Sequence, residues 1–227
     1  MTRSKLSIAA PMSIRPLELA DAEALLRLVA RNEKRFAAGG LAMLPSSTES
    51  FKSWIQQTSG MRPQSLKVVY GLWVQSDAGF KLAGFVGIET LNSFSGSGVW
   101  YGIDIDHQGR GLAKTGALLA MVDFEARAAA AGFARIVRWV LHVHKSNERS
   151  ARLGAQLGFQ RDEILDYTRR LSLRGGQKFQ GYLSTRTAKS MAEEAQARVL
   201  QMTMQATART TLASNDDQVK PRRRLSA

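Results

Sequence analysis

From Met12 onward the apolar positions fall into short blocks that switch between two periods. Ser13-Ile14-Arg15-Pro16 alternates and stops at the proline, which predicts a short strand over Met12–Arg15. Behind Asp21, a candidate N-cap, Leu25, Leu26, Leu28 and Val29 follow helical spacing, and Gly39-Gly40 is the stop signal. Ser47-Thr48-Glu49-Ser50 ahead of Phe51, Trp54 and Ile55 predicts a second helix. Three strand-like blocks follow: Leu66–Gln75, Lys81–Leu91 and Gly98–Ile105. Only turn-forming stretches separate them, so they predict an antiparallel meander. A long helix is expected over Leu112–Ala131, then a strand over Ala134–Val143 with few polar gaps, as for a strand covered on both faces. A helix over Asn147–Leu157 and strands near Glu163–Leu165 and Phe179–Ser184 complete the series. The order predicts an α/β fold: a mixed sheet of seven strands flanked by about four helices. The sheet is antiparallel at first and crosses over through the helix after Ile105.

The pattern changes near residue 186. Arg186 to Leu212 contains no Gly, Pro or aromatic residue, and Met191, Ala195, Val199 and Met202 recur on one helical face. Ser214 to Ala227 is polar and includes Lys220-Pro221-Arg222-Arg223-Arg224. The expected organisation is a flexible leader over 1–11, an α/β domain over 12–186, a helical extension over 187–213 and a disordered basic tail over 214–227.

Composition narrows the chemistry. The 227 residues carry 32 Lys+Arg against 19 Asp+Glu, a net charge of +13, with no cysteine and three histidines. Thiolate catalysis and cysteine metal sites are excluded. His142 and His144 share a strand face with Val140 but have no evident third partner, so no metal is expected. No apolar run reaches the roughly 18 residues of a membrane span. Residues 1–12 lack the apolar core of a secretory signal. A soluble cytoplasmic protein is expected. The basic excess fits nucleic acid, a ribosome, an acidic surface or a polyanionic ligand.

Two segments refine that choice. In Trp100 to Lys114 a strand enters a turn holding Gly109 and Gly111, and a long helix leaves it. A helix start offers unpaired N–H groups and the positive end of its dipole, and glycines let an anion approach the backbone. Arg110 and Lys114 add charge on the same side, so the segment suits phosphate or pyrophosphate, although it is neither a P-loop nor a GxGxxG motif. The plainer reading is an ordinary turn. The second segment, His144 to Phe159, joins a strand end to a helix opened by Asn147 and Ser150 and closed by Gly158-Phe159.

Together these segments resemble the GNAT superfamily of acyl-CoA-dependent N-acyltransferases. Gln108-Gly109-Arg110-Gly111-Leu112-Ala113 is similar to its Q/R-x-x-G-x-G/A pyrophosphate loop. Asn147-x-x-Ser150 with Leu157-Gly158-Phe159 resembles the N-x-x-S…G-F segment of the branch holding the ribosomal-protein N-terminal acetyltransferases. Ile14-Arg15-Pro16 with Asp21-Ala22, and Phe179 to Ser184, are similar to that branch too, so the likeness spans about residues 12–186.

The resemblance implies acetyl-CoA as co-substrate, with pantetheine inserted where the strand before the loop splays from its neighbour. Ile103, Asp104 and Ile105 would offer backbone, Gln108, Gly109, Arg110, Gly111, Leu112, Ala113 and Lys114 would cradle the pyrophosphate, and Asn147 would bind the pantetheine arm. The implied reaction is direct attack of an amine on the thioester, which agrees with the absence of cysteine. Many relatives place a Tyr four residues after Ser150, where this chain has Gly154, and many of this branch place a Glu where it has Gly98. The resemblance to the branch that uses serine instead implies Ser150 as the group protonating or orienting the thiolate, with a plain helix-start serine as its alternative. Glu89 is the candidate base, with a surface glutamate or a water chain as its alternatives. Trp100 and Tyr101 line the acceptor site or, the preferred reading for strand aromatics, pack in the core. The expected acceptor is a protein N-terminal amine, ribosomal proteins first. A small amine, an antibiotic or an aminoacyl-tRNA is the alternative, as is a non-enzymatic acyl-CoA-binding module whose tail meets RNA or a partner. A ribosome or RNA contact is compatible with the charge, no membrane contact is expected, and a monomer or homodimer is expected.

Overall fold

The computed structural model describes residues 12–41, 44–58, 66–76, 79–91, 96–133, 136, 138–163 and 179–218. In chain order these form β1 (Met12–Pro16), α1 (Ala22–Ala38), α2 (Thr48–Thr58), β2 (Lys67–Ser76), β3 (Gly79–Leu91) and β4 (Gly96–Ile103). Then come α3 (Leu112–Ala130), β5 (Arg138–His144), α4 (Glu148–Gln156), β6 (Gln160–Arg161), β7 (Phe179–Ser184) and α5 (Ala188–Gln218). The seven strands make one sheet in the order β1-β2-β3-β4-β5-β7-β6. Every neighbouring pair is antiparallel except β4 and β5, which α3 joins as a parallel crossover. The mixed seven-stranded α/β fold read from the periodicity is the fold observed.

Alternation along the strands divides the core in two. Val68, Tyr70, Leu72, Val86 and Ile88 pack with Leu118, Met121 and Phe124 of α3. Val69, Leu82 and Phe85 pack with Leu25, Leu28 and Phe36 of α1 and with Phe51 and Ile55 of α2. Helix α3 buries residues all round its axis, including Ala117, Leu118, Ala120, Met121 and Phe124. Such a helix needs cover on more than one side. The sheet covers one side of α3, and α5 also packs against it. Met191 and Ala195 of α5 are 0% and 1% exposed and belong to the same core cluster as α3. The stripe read as a helical extension is thus packed into the same hydrophobic core as α3, and its helix runs on to Gln218, past the expected end at residue 213.

Local departures have physical reasons. Asp21 makes no side-chain cap for α1. Its carboxylate instead accepts two hydrogen bonds from Arg15 (2.6 and 2.7 Å) and one from the Glu18 N–H (2.8 Å). Ile136 is not in a strand, and β5 begins at Arg138; residues 134, 135 and 137 lie outside the described residues. The strand expected near Glu163–Leu165 does not include Glu163, which is helical, while 164 and 165 lie outside the described residues; a two-residue strand, β6, lies earlier, at Gln160–Arg161. The leader over 1–11 and residues 219–227 of the basic tail also lie outside them.

Candidate active site

The site begins where the sheet fails to close. β4 and β5 pair from Gly96↔Arg138 to Val99↔Leu141 and no further, although β4 continues to Ile103 and β5 to His144. Each strand keeps its other partner, β3 for β4 and β7 for β5. The parted ends leave a fork with backbone groups unpaired in the sheet. The Asp104 N–H donates to Ala83 O (2.9 Å), so the alternation of an antiparallel ladder turns the amides of Tyr101 and Ile103 away from β3 and into the fork.

A cleft of about 830 Å³ opens from this fork. At one end lies the loop ahead of α3. Gly109 and Gly111 have φ of +76° and +77°, and a Cβ on either would meet nothing within 4 Å. Left-handed backbone explains the glycines, and the open space leaves the first-turn N–H groups of Leu112, Ala113 and Lys114 facing a ligand-sized void. The dipole and those N–H groups make this an anion cradle. Six basic side chains line the cleft among the described residues: Arg35, Lys67, Lys114, Arg149, Arg152 and Arg198. Glu89 is the one carboxylate among the lining residues described. The cleft therefore suits a polyanion and resists a polycation.

The structure brings Ile103, Gln108, Gly109, Gly111, Leu112, Ala113, Lys114, Asn147, Ser150 and Glu89 to this one cleft. Gln108 ties its walls together, donating to Ile103 O (3.1 Å) while its Oε1 accepts from Arg149. Asn147 caps α4 by accepting the Ser150 N–H at 3.1 Å. Glu89 stands opposite Gly98 in the β3/β4 register and pairs with Lys67 at 3.0 Å.

Asp104, Ile105 and Arg110 do not line the cleft. The Asp104 carboxylate is fully buried and held by Arg31 and by Asn32 Nδ2 (3.1 Å), which fasten the loop to α1. Asn32 Oδ1 takes the Ile105 N–H (3.0 Å), and the Ile105 side chain is exposed. The strand amides that face the fork are thus those of Tyr101 and Ile103, not those of Asp104 and Ile105. Arg110 sits exposed at the loop tip. His107, buried beside this network, is held below the usual histidine range, first by burial and then by Arg110, Lys81 and Arg31.

Tyr101 packs against the core, the preferred reading from the sequence, and also lines the cleft. Its hydroxyl lies 3.2 Å from Ser150 Oγ, within the cleft. Burial pushes the phenol up to about 12, outweighing the opposing hydrogen bond with Ser150, so it is protonated at neutral pH. As donor to Oγ it leaves the Ser150 hydrogen free to point elsewhere. The available signal was Tyr101's place in the strand feeding the glycine loop; the end of the β4/β5 ladder was not in the pattern. Trp100 lies on the other side of β4, packed against Trp54 (5.9 Å between centroids) and Phe85 (5.8 Å). With Trp54, Leu41 and Leu44 it lines an apolar end of the cleft. His142 also lines the cleft, whereas His144 Nδ1 meets Ser146 Oγ at 2.8 Å. Among the described residues no group of three or more His, Cys, Asp or Glu could hold a metal, and no helix is long and apolar enough to cross a membrane.

Residues 12–160 match the model of an acetyltransferase (GNAT) domain. No curated protein matches the chain by sequence. Among solved structures, the chain is similar to RimL, a ribosomal L7/L12 alpha-N-protein acetyltransferase, at TM-score 0.59 and 18% identity over 80% of this chain and 93% of that one. A ribosomal-protein-S5-alanine acetyltransferase from Vibrio fischeri is similar at TM-score 0.59 and 18% identity, over 79% and 95%. A microcin C7 self-immunity acetyltransferase, in complex with acetyl-CoA and AMP, is similar at TM-score 0.56 and 18% identity, over 82% and 98%. At these identities the likeness is one of fold.

Proposed function

The chain belongs to the acetyltransferase (GNAT) domain family, and we propose that this acetyl-CoA-dependent enzyme acetylates the α-amine of a protein N-terminus, ribosomal proteins being the favoured substrates. The observation that carries this reading is a forked cleft lined by six cations and one carboxylate, with a hydroxyl pair at the fork. A polyanion with an amide-rich arm fits the cation-lined cradle and the strand edge. A polycationic acceptor does not fit. An α-amine has an ordinary pKa of about 8 against about 10.4 for lysine. It therefore needs less help to lose its proton, which suits a cleft with a single lining carboxylate.

Roles follow from position. The first turn of α3, with Gly109 and Gly111, holds the pyrophosphate, and the Tyr101 and Ile103 amides pair with the pantetheine arm, assisted by Asn147. Acetyl-CoA supplies a thioester carbonyl for direct attack when bound. Glu89 takes the ammonium proton, directly or through water. Ser150, accepting from Tyr101, turns its own hydrogen toward the departing sulfur and stabilises the charge that develops there. The apolar end at Trp54, Trp100, Leu41 and Leu44 receives the acceptor's first side chain.

The test has two arms. Acetyl-CoA at about 100 times its Kd should raise stability by about 2.7 kcal/mol in thermal unfolding; no shift at millimolar ligand overturns the co-substrate assignment. Labelled acetyl-CoA, offered separately with ribosomal proteins, polyamines and charged tRNA, should mark ribosomal-protein N-termini. Label confined to either of the other two overturns the acceptor assignment.

A further inference from the structure

One corner of the cleft is built by a helix outside the matched family region: α5 begins at Ala188, whereas the match ends at residue 160. Glu194, in the second turn of α5, receives Lys114 Nζ at 2.6 Å, Arg186 Nη1 at 2.8 Å and Arg198 Nε at 3.2 Å. Three cations on one carboxylate leave an excess of two positive charges. Burial opposes ionisation of Glu194, but the hydrogen bonds from Lys114, Arg186 and Arg198 hold it down near 2, so it stays charged at working pH.

The three cations differ in what else they touch. Arg186 turns inward, donating to Ser190 O (3.0 Å) and Leu157 O (3.5 Å), and does not line the cleft. Lys114 and Arg198 do line it. Lys114 belongs to the first turn of α3, directly after the glycine loop, and the Arg198 side chain is 31% exposed. Arg152 and Arg149 of α4 line the same cleft. A packed, carboxylate-ordered pair of cations beside a helix start is built for an anion with more than one phosphate.

We propose that α5 completes the co-substrate site: Arg198, aligned by Glu194 beside Lys114, holds phosphate oxygens of the ADP portion of acetyl-CoA. The idea rests on the acetyl-CoA reading above and extends the site past the GNAT domain to a helix that the family match does not include. Glu194 acts as a positioning residue, and Arg186 is the staple that fixes α5 to the C-terminal end of α4.

Calorimetry on the full chain tests this with acetyl-CoA and with acetyl-pantetheine, which has the same thioester arm and no ADP. Arg198→Gln should weaken acetyl-CoA by about 10-fold, the lower end for a charge-assisted contact, and leave acetyl-pantetheine unchanged. Arg198→Lys should restore most of the affinity. Arg186→Gln should lower the unfolding temperature without changing the preference for acetyl-CoA over acetyl-pantetheine. Unchanged acetyl-CoA affinity in Arg198→Gln, or an equal loss for both ligands, overturns the proposal. If the wild-type chain binds neither ligand, the acetyl-CoA reading itself fails.

Discussion

At the scale of single residues, the proposed chemistry turns on two hydroxyls that meet at the fork. Ser150 alone has a hydrogen that rotates freely; with Tyr101 donating to its oxygen at 3.2 Å, that hydrogen has one productive direction. Ser150→Ala should therefore lower kcat by about 10²–10⁴-fold if it meets the leaving sulfur as a proton donor. Tyr101→Phe, which keeps Ser150 but frees its rotor, should cost less than Ser150→Ala and leave KM for acetyl-CoA near wild type. Steady-state kinetics of both variants decides the matter: full activity in Ser150→Ala returns that serine to the N-terminal turn of α4 as a structural residue. The serine was legible because Asn147-x-x-Ser150 is local in sequence. The nearness of Tyr101 to it was not, because that depends on β4 and β5 parting after Val99 and Leu141, a long-range event that no local pattern records.

Among elements, α1 to α4 and most of the strands follow from periodicity, because spacing along the chain sets which face each one buries, whereas the start of β5 and the place of β6 do not. What was missed is how elements cover one another. The helix α3 looked like a long apolar helix, and α5 like an extension open to docking on the domain, a dimer contact or a partner; it docks on α3, and each is explained by the other. Met191 is 0% exposed and sits in the α3 core cluster. Met191→Ala should destabilise the domain by about 2–5 kcal/mol, read from chemical denaturation, whereas a loosely attached helix would leave the midpoint unchanged. The loop before α3 makes a different prediction. Gly111 needs φ of +77° and has open space around it. Gly111→Trp should fill the cradle and abolish acetyl-CoA binding by calorimetry, while the chain stays folded by circular dichroism. Retained binding would place the co-substrate elsewhere.

For the whole molecule, the +13 charge resolves into local tasks. Six cations line one cleft, and other charged groups hold elements together. Arg31 and Asp104 fasten α1 to the loop, and Glu194 gathers Lys114, Arg186 and Arg198. These ties make stability depend on pH with a definite sign. His107 is held below its ordinary value in the folded chain, so the unfolded chain binds the extra proton first as pH falls below about 6.5. Glu194 is lowered from 4.5 to about 2, so its contribution is complete above the unfolded value and is lost as pH falls from about 5 toward 2. Both effects act in the same direction, so acid destabilises the fold in two successive windows. Urea midpoints at pH 7.5, 5.5 and 4 should fall in that order. His107→Gln should flatten the step between 7.5 and 5.5, and Glu194→Gln the step between 5.5 and 4. A midpoint that rises on acidification, or a lower step that survives Glu194→Gln intact, would show that the α5 contact is not coupled to folding.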